Sequence, residues 1–292
     1  MNNISKPPRR FPLVAIRLFG LLRWLGSVVW PGKRAYRHYL SHGGLELTEE
    51  DVPVANLPPG LDGLRVVQIS DLHAGPFLDR KSLDGVLDLV RASRPDVLVI
   101  TGDFITKSAD DMHELGSVFM EMPAALGKFA VFGNHDYHER REGELVAALR
   151  RQGVTVLRNA SVALAHRGAV LRLVGLEDIE EGRKVDLEAA LKDRADQDGA
   201  TVLLCHHPDV SSRLPKGVFD LVLSGHTHGG QVRVPGAWRV WSRWLPEHLD
   251  GTRPLPGRRG LMHVNRGLGV LVLPVRIGAR PQVSCLTLRP TR

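Results

Sequence analysis

The sequence predicts an α/β chain with a mixed sheet, and three observations carry that reading. Short apolar runs bounded by turn residues alternate with segments whose apolar residues recur at helical spacing. After Gly153 the alternation gives way to short runs separated by tight polar turns. Asp, Asn and His residues cluster just past the ends of five of the apolar runs. Two sheets packed face to face between helices fit this order.

Each element has its own signal. Residues 64–70 (LRVVQIS) read as a first strand. Asp79 can cap a helix that carries Leu83, Val86, Leu87 and Val90 on one face and stops at Pro95. Residues 97–101 form the next strand. Met112, Leu115, Phe119 and Met122 return to helical spacing, closed by Pro123. Residues 129–132 give a third strand, and Leu145, Ala148 and Leu149 a helix ending at Gly153. Strands come next at 154–157, 161–165 and 170–174. A further helix near 187–191 precedes strands at 201–205 and 221–224, and residues 262–265, 270–273 and 283–288 are again strand-like.

A chain of 292 residues fits one large domain, or one domain with a small appendage, and can bury a sizeable core. Its two cysteines, Cys205 and Cys285, each lie in an apolar run, which reads as buried thiol and excludes a disulfide scaffold. The formal charge of +7 and a pI near 9.8 favour an anionic partner: a phosphorylated substrate, an anionic membrane surface or nucleic acid. There is no internal repeat, no low-complexity tract and no separate nucleic-acid module.

The expected division is a membrane-associating segment and linker over residues 1–60 and a catalytic domain over 61–292. Residues 11–30 are almost entirely apolar but hold Arg17 and Arg23. Eleven strongly apolar residues at roughly −0.5 kcal/mol each contribute about −5 to −6, and the two arginines cost about +5 to +7 kcal/mol. The sum is near zero, so the stretch reads as an interfacial anchor, with a spanning helix as the alternative. Arg9–Arg10 faintly resembles a twin-arginine export signal, but the charged apolar stretch and the lack of a cleavage site argue against it. Residues 57–63 (LPPGLDG) read as a linker. All five tryptophans fall in two places: Trp24 and Trp30 here, and Trp238, Trp241 and Trp244 after the last histidines. With Arg239 and Arg243, the second group reads as a membrane–water interface segment or, equally, as a flap on the core or a dimer contact.

The residue types that carry chemistry lie just past the strand ends. Asp71 and His73, Asp103, Asn134, His206, and His226 and His228 are all placed there, where side chains converge on one crevice. An extended chain would aim Asp71 and His73 to one side, and likewise His226 and His228. Gly102, Gly133 and Gly225 precede three of these residues and permit close backbone approach. Carboxylates, imidazoles and one amide oxygen suit Mn²⁺, Fe²⁺ or Zn²⁺. Seven ligands exceed the needs of one ion with an open position and suit two ions sharing a carboxylate.

Together, QISDLHAG, GNHDYH, SGHTHGGQ and VNRGLG resemble the calcineurin-like metallophosphoesterase superfamily, in its bacterial membrane-associated branch, over residues 64–288. The resemblance implies a four-layer α/β/β/α sandwich of two mixed sheets flanked by helices. It implies a first metal on Asp71, His73 and His228, a second on Asn134, His206 and His226, and Asp103 between them. It makes His135 the catalytic histidine and two divalent ions, Mn²⁺ foremost, the cofactor. His207 is expected to support rather than coordinate, whereas Asp136 and His138 remain open between support and substrate contact. Asn265 and Arg266 are candidate substrate contacts, with Arg276 and Arg280 weaker ones.

The reaction expected is hydrolysis of a phosphodiester or pyrophosphate, foremost in a lipid-linked substrate at the membrane surface. The branch includes enzymes that cleave the pyrophosphate of UDP-2,3-diacylglucosamine, so that molecule is one candidate. The alternatives are a soluble nucleotide or nucleic-acid phosphodiesterase and a non-catalytic membrane-anchored scaffold. The expected location is the cytoplasmic membrane, peripheral or held by one N-terminal anchor, with the catalytic domain on the cytoplasmic side.

Overall fold

The computed structural model describes residues 32–55, 57–182, 184–195, 198–233, 248–257 and 259–291. The apolar stretch 11–30 and the Trp238, Trp241 and Trp244 segment lie outside the described residues. Twelve strands among the described residues form two six-stranded sheets. The first holds β1 (Glu46–Val54), β2 (Arg65–Ile69), β3 (Val97–Thr101), β4 (Gly127–Val131), β5 (Val154–Val156) and β12 (Gln282–Pro290), in the order β1-β12-β2-β3-β4-β5. The second holds β6 (Ala160–His166), β7 (Ala169–Gly175), β8 (Ala200–Leu204), β9 (Leu221–Ser224), β10 (Gly251–Pro254) and β11 (Leu261–Val264), in the order β10-β11-β9-β8-β7-β6. Both sheets are mixed. Strands β2 to β5 run parallel while β12 is antiparallel to β2. In the second sheet β7, β8, β9 and β11 are parallel, and β6 and β10 are antiparallel edges.

The strands form where β-branched and leucine residues run together, and their alternation sorts side chains into layers. Val97 and Val99 face the second sheet, where they pack among Leu171, Leu173, Val202 and Leu223. Leu98 and Ile100 face outward, onto Val86, Leu87 and Val90 of α2 (Asp84–Ser93) and Leu145 and Leu149 of α4 (Glu142–Arg151). The far face of the second sheet buries Leu203, Cys205, Val222 and Val264 beside Ala190 of α5 (Leu187–Leu191). Two further helices, α1 (Gly32–Tyr39) and the short α3 (Val118–Glu121), complete the helical layer on the first sheet. The result is the helix–sheet–sheet–helix sandwich expected. Both cysteines are free and buried.

Asp79 caps the chain entering α2, its carboxylate accepting the Ser82 N–H at 3.0 Å. The helix ends where Arg94 turns to φ +43° ahead of Pro95.

Two expectations are corrected. Residues 270–273 are not a strand: the Gln231 side chain takes the place of a neighbouring strand, donating to the carbonyls of Leu271 (2.9 Å) and Leu273 (3.2 Å) and accepting the Leu271 N–H. The sheet also begins before residue 61. Strand β1 pairs with β12 along its whole length, and Leu57 and Leu61 are buried between the sheets, so residues 57–63 are not a free linker.

Candidate metal centre

The C-terminal ends of β2, β3, β4, β8 and β9 meet at one edge of the sandwich, and the seven expected ligands sit just beyond them. His73 Nε2 stands 3.0 Å from His228 Nε2, and His228 Nε2 stands 3.4 Å from Asp71 Oδ1. On the other side Asn134 Oδ1 is 3.2 Å from His226 Nδ1. Asp103 lies between the groups: its Oδ2 is 3.3 Å from His73 Nε2 and 3.2 Å from His206 Nε2. Its other oxygen accepts the His135 N–H at 2.9 Å. One carboxylate oxygen thus faces both imidazole groups, as a shared ligand requires.

The backbone here is strained. Asp71 (φ +49°), His73 (+48°), Asp103 (+54°), His226 (+71°) and His228 (+51°) all occupy the left-handed region. Each such residue costs of order 1–3 kcal/mol, so the surroundings must impose it. The extended geometry expected for Asp71–His73 and His226–His228 is therefore corrected: left-handed turns place these side chains. Close packing enforces the turns. A Cβ on Gly225 would lie 1.9 Å from Ser70 Oγ and 2.4 Å from Asp71 Oδ2, and one on Gly133 would lie 2.3 Å from Asp103 Oδ1. Only glycine fits there.

Hydrogen bonds orient the rings. His206 Nδ1 donates to the Thr101 carbonyl at 2.6 Å, which leaves the buried Nε2 facing the carboxylates of Asp103 (3.2 Å) and Asp71 (3.9 Å). His135 Nδ1 donates to the Thr106 carbonyl at 2.7 Å. The His135 ring meets the His73 ring edge-on, with centroids 4.7 Å apart. Asp71, His73, His206 and His228 are buried, whereas Asn134, His135 and His226 are partly exposed, so the centre opens along those three. Burial holds the pKa values of His226 and His228 well below the ordinary imidazole value, so both rings are neutral and ready to ligate. Burial would also lower that of His206, but the adjoining Asp103 carboxylate outweighs it and holds it well above.

This donor set fits divalent cations. Asp71, His73 and His228 bring ligand atoms within 4.8 Å of one another, and so do Asp71, Asp103 and His206. The two buried carboxylates crowded against imidazole nitrogens are what a pair of ions would satisfy.

The other expected residues separate clearly. Asp136 is buried scaffold: its carboxylate accepts the N–H groups of Asp103 (2.9 Å), Gly133 (2.9 Å), Phe104 (2.9 Å) and Ile105 (3.3 Å). His138 is exposed and its ring lies 4.5 Å from that of His135. The His207 ring lies tilted against that of His226, with centroids 4.1 Å apart, and its Nε2 is 3.3 Å from Glu180 Oε1. Asn265 is corrected from substrate contact to frame. It is fully buried, donates to Ser284 Oγ at 2.9 Å, and accepts the Gly267 N–H at 2.7 Å. Arg266 is partly buried and pairs with Glu46 at 2.7 Å and Asp250 at 3.5 Å. Arg276 is buried, and its guanidinium is spent on backbone carbonyls.

Sequence reasoning missed Glu180 and the carbonyls of Thr101 and Thr106. A carbonyl leaves no mark in residue type, and Glu180 lies in a charged run (EDIEEGRK) that reads as a solvated loop.

Fold and centre together define a metal-dependent phosphoesterase. Residues 64–230, more than half the chain, match the model of the family described as calcineurin-like phosphoesterase, and the chain belongs to that family. Among its relatives, an uncharacterised metallophosphoesterase of Bacillus subtilis, YkuE, is 30% identical over 94% of this chain and 96% of its own length. An uncharacterised metallophosphoesterase of Aquifex aeolicus is 30% identical over 87% of this chain and 95% of its own. A bovine protein named "transmembrane protein with metallophosphoesterase domain" is 31% identical over 83% of this chain, which spans 57% of the bovine protein.

Proposed function

We propose that this phosphoesterase hydrolyses a phosphodiester or pyrophosphate bond with two divalent cations, Mn²⁺ foremost. Asp71, His73 and His228 would hold one, Asn134, His206 and His226 the other, and Asp103 both. The observation that carries this is the convergence of all seven side chains, five of them on left-handed backbone, around the buried Asp103 carboxylate. When bound, such a pair of ions supplies an activated water and neutralises charge developing on the phosphoryl group. The chain's own part is positional and protic. Asp136 fixes the loops of Asp103 and Asn134 relative to each other. His135, with Nδ1 tied to Thr106, keeps Nε2 as the nitrogen that would stabilise phosphoryl charge or protonate the leaving oxygen.

The substrate we infer is lipid-linked, with UDP-2,3-diacylglucosamine as a specific candidate. The arginine-studded apolar stretch 11–30, the Trp238–Trp244 segment and the basic balance support it. So does the word "transmembrane" in the name of the bovine relative. An N-terminal anchor at the cytoplasmic membrane would bring the open side near the headgroups. No helix among the described residues is long and apolar enough to cross a membrane. The second reading is a soluble nucleotide diester, favoured by the basic charge alone. The test compares hydrolysis of acylated and deacylated pyrophosphate substrates, a nucleotide diester and bis-p-nitrophenyl phosphate, with and without chelator. Chelator-sensitive turnover with preference for the acylated form supports the proposal. Equal rates on both forms favour the nucleotide reading, and chelator-resistant turnover overturns the metal reading.

A further inference from the structure

We propose that Tyr36 and Arg276 are positioning residues for the first metal site, acting on Asp71 and His228 through the loop Arg266–Gly269. Both roles rest on the assignment of Asp71 and His228 to that site. Both residues lie outside the family-matched stretch 64–230, Tyr36 before it and Arg276 after it.

Tyr36 is the fully buried residue of α1. Its hydroxyl donates to the Leu268 carbonyl at 2.5 Å and lies 3.4 Å from that of Gly269. The same two residues hold the backbone under the centre: Leu268 N–H donates to the Ser70 carbonyl at 2.9 Å and Gly269 N–H to the Asp71 carbonyl at 2.6 Å. The fit leaves no slack. A Cβ on Gly267, at φ +71°, would lie 2.6 Å from Asp71 Cβ, and one on Gly269 would lie 2.2 Å from the Leu72 carbonyl. A shift of this loop therefore moves Asp71.

Arg276 reaches the loop from the other side. It is 7% exposed, and its guanidinium donates to the carbonyls of Gly269 (2.9 Å, from Nε), Arg266 (2.8 Å), Ala279 (3.2 Å) and His228 (3.3 Å). Nη2 stands 3.2 Å from the His228 ring. Carbonyl dipoles replace the water that a buried guanidinium loses, so its hydrogen bonds hold these carbonyls to one position. Tyr36 and Arg276 converge on the Gly269 carbonyl, and between them they grip the backbone of two first-site ligands. Of the second-site ligands, His206 is held by Thr101 and Asn134 through the Asp136 staple, whereas the His226 N–H donates to the Asp71 carboxylate at 3.0 Å and so feels the loop only through Asp71.

The test is a titration of the metal-free full chain with Mn²⁺ by calorimetry, in wild type, Tyr36→Phe, Arg276→Lys and the control Tyr39→Phe. Asp71→Asn identifies which binding step belongs to the first site. Tyr36→Phe and Arg276→Lys should weaken that step by about tenfold or more, the usual size for residues that orient metal ligands. The other step, coupled to Asp71 only through the His226 N–H, should weaken less, and Tyr39→Phe should match wild type. Unchanged affinity in Tyr36→Phe despite a lower melting temperature, or equal weakening of both steps, would overturn the inference. Fewer than two ions in wild type would instead strike the two-metal reading on which it rests.

Discussion

The carboxylate of Asp136 accepts the backbone N–H of Asp103 at 2.9 Å, tying the loop after β4 to the loop after β3. The same carboxylate takes the N–H groups of Gly133, Phe104 and Ile105, so one side chain satisfies four buried donors. Asp136→Ala leaves them unpaired. We expect a loss of about 3–5 kcal/mol of stability and at least tenfold weaker metal binding. Chemical denaturation of the metal-free protein measures the first; a loss below about 1 kcal/mol would mean the staple is dispensable.

His135 is next to a ligand in sequence, and its ring nitrogen is tied to Thr106 rather than to a carboxylate. His135→Ala should keep both metals while turnover falls by about 10²–10⁴-fold. The loss should shrink for nitrophenyl esters, whose leaving group needs no proton. Near-native rates on a poor leaving group would contradict the role.

Metal binding should release protons. The Asp103 carboxylate overcomes the effect of burial and raises the pKa of His206, so in the metal-free protein that ring is charged near neutral pH. A cation displaces the proton from Nε2. Affinity should therefore rise with pH up to the raised pKa and level off above it. Calorimetry at pH 7 in buffers of different ionisation enthalpy should show about one proton or more released per chain. Heats independent of buffer would contradict this.

Gly225→Ala tests whether crowding shapes the centre. The added methyl would collide with Ser70 Oγ and Asp71 Oδ2, both in the buried layer under the site. We expect the variant to fold less stably and to bind metal at least tenfold more weakly. Wild-type affinity would show that the site yields easily.

Much of this was legible in the sequence because the ligands come directly after strands, and strands such as Val97–Thr101 and Leu221–Ser224 announce themselves as unbroken apolar runs. Strand β1 did not. Its sequence ELTEEDVPV buries only Val52 and Val54, because an edge strand needs few apolar residues when the ladder to β12 supplies the bonds. Residues 270–273 mislead in the opposite sense: VLVL is strand-like in composition, but a glutamine side chain, not a strand, meets its backbone. The positive φ of five ligands is invisible in their identities, since tight packing imposes it. Asn265 sits in a motif-like segment, and only the packed structure distinguishes a buried cross-link from a substrate contact.

The central claim is that one carboxylate, Asp103, joins two cation sites. Elemental analysis of reconstituted, desalted protein tests it most directly. Wild type should hold close to two transition-metal ions per chain and Asp103→Ala close to none, with its fold intact by circular dichroism. One ion or none in wild type, or two retained by Asp103→Ala, would contradict the account.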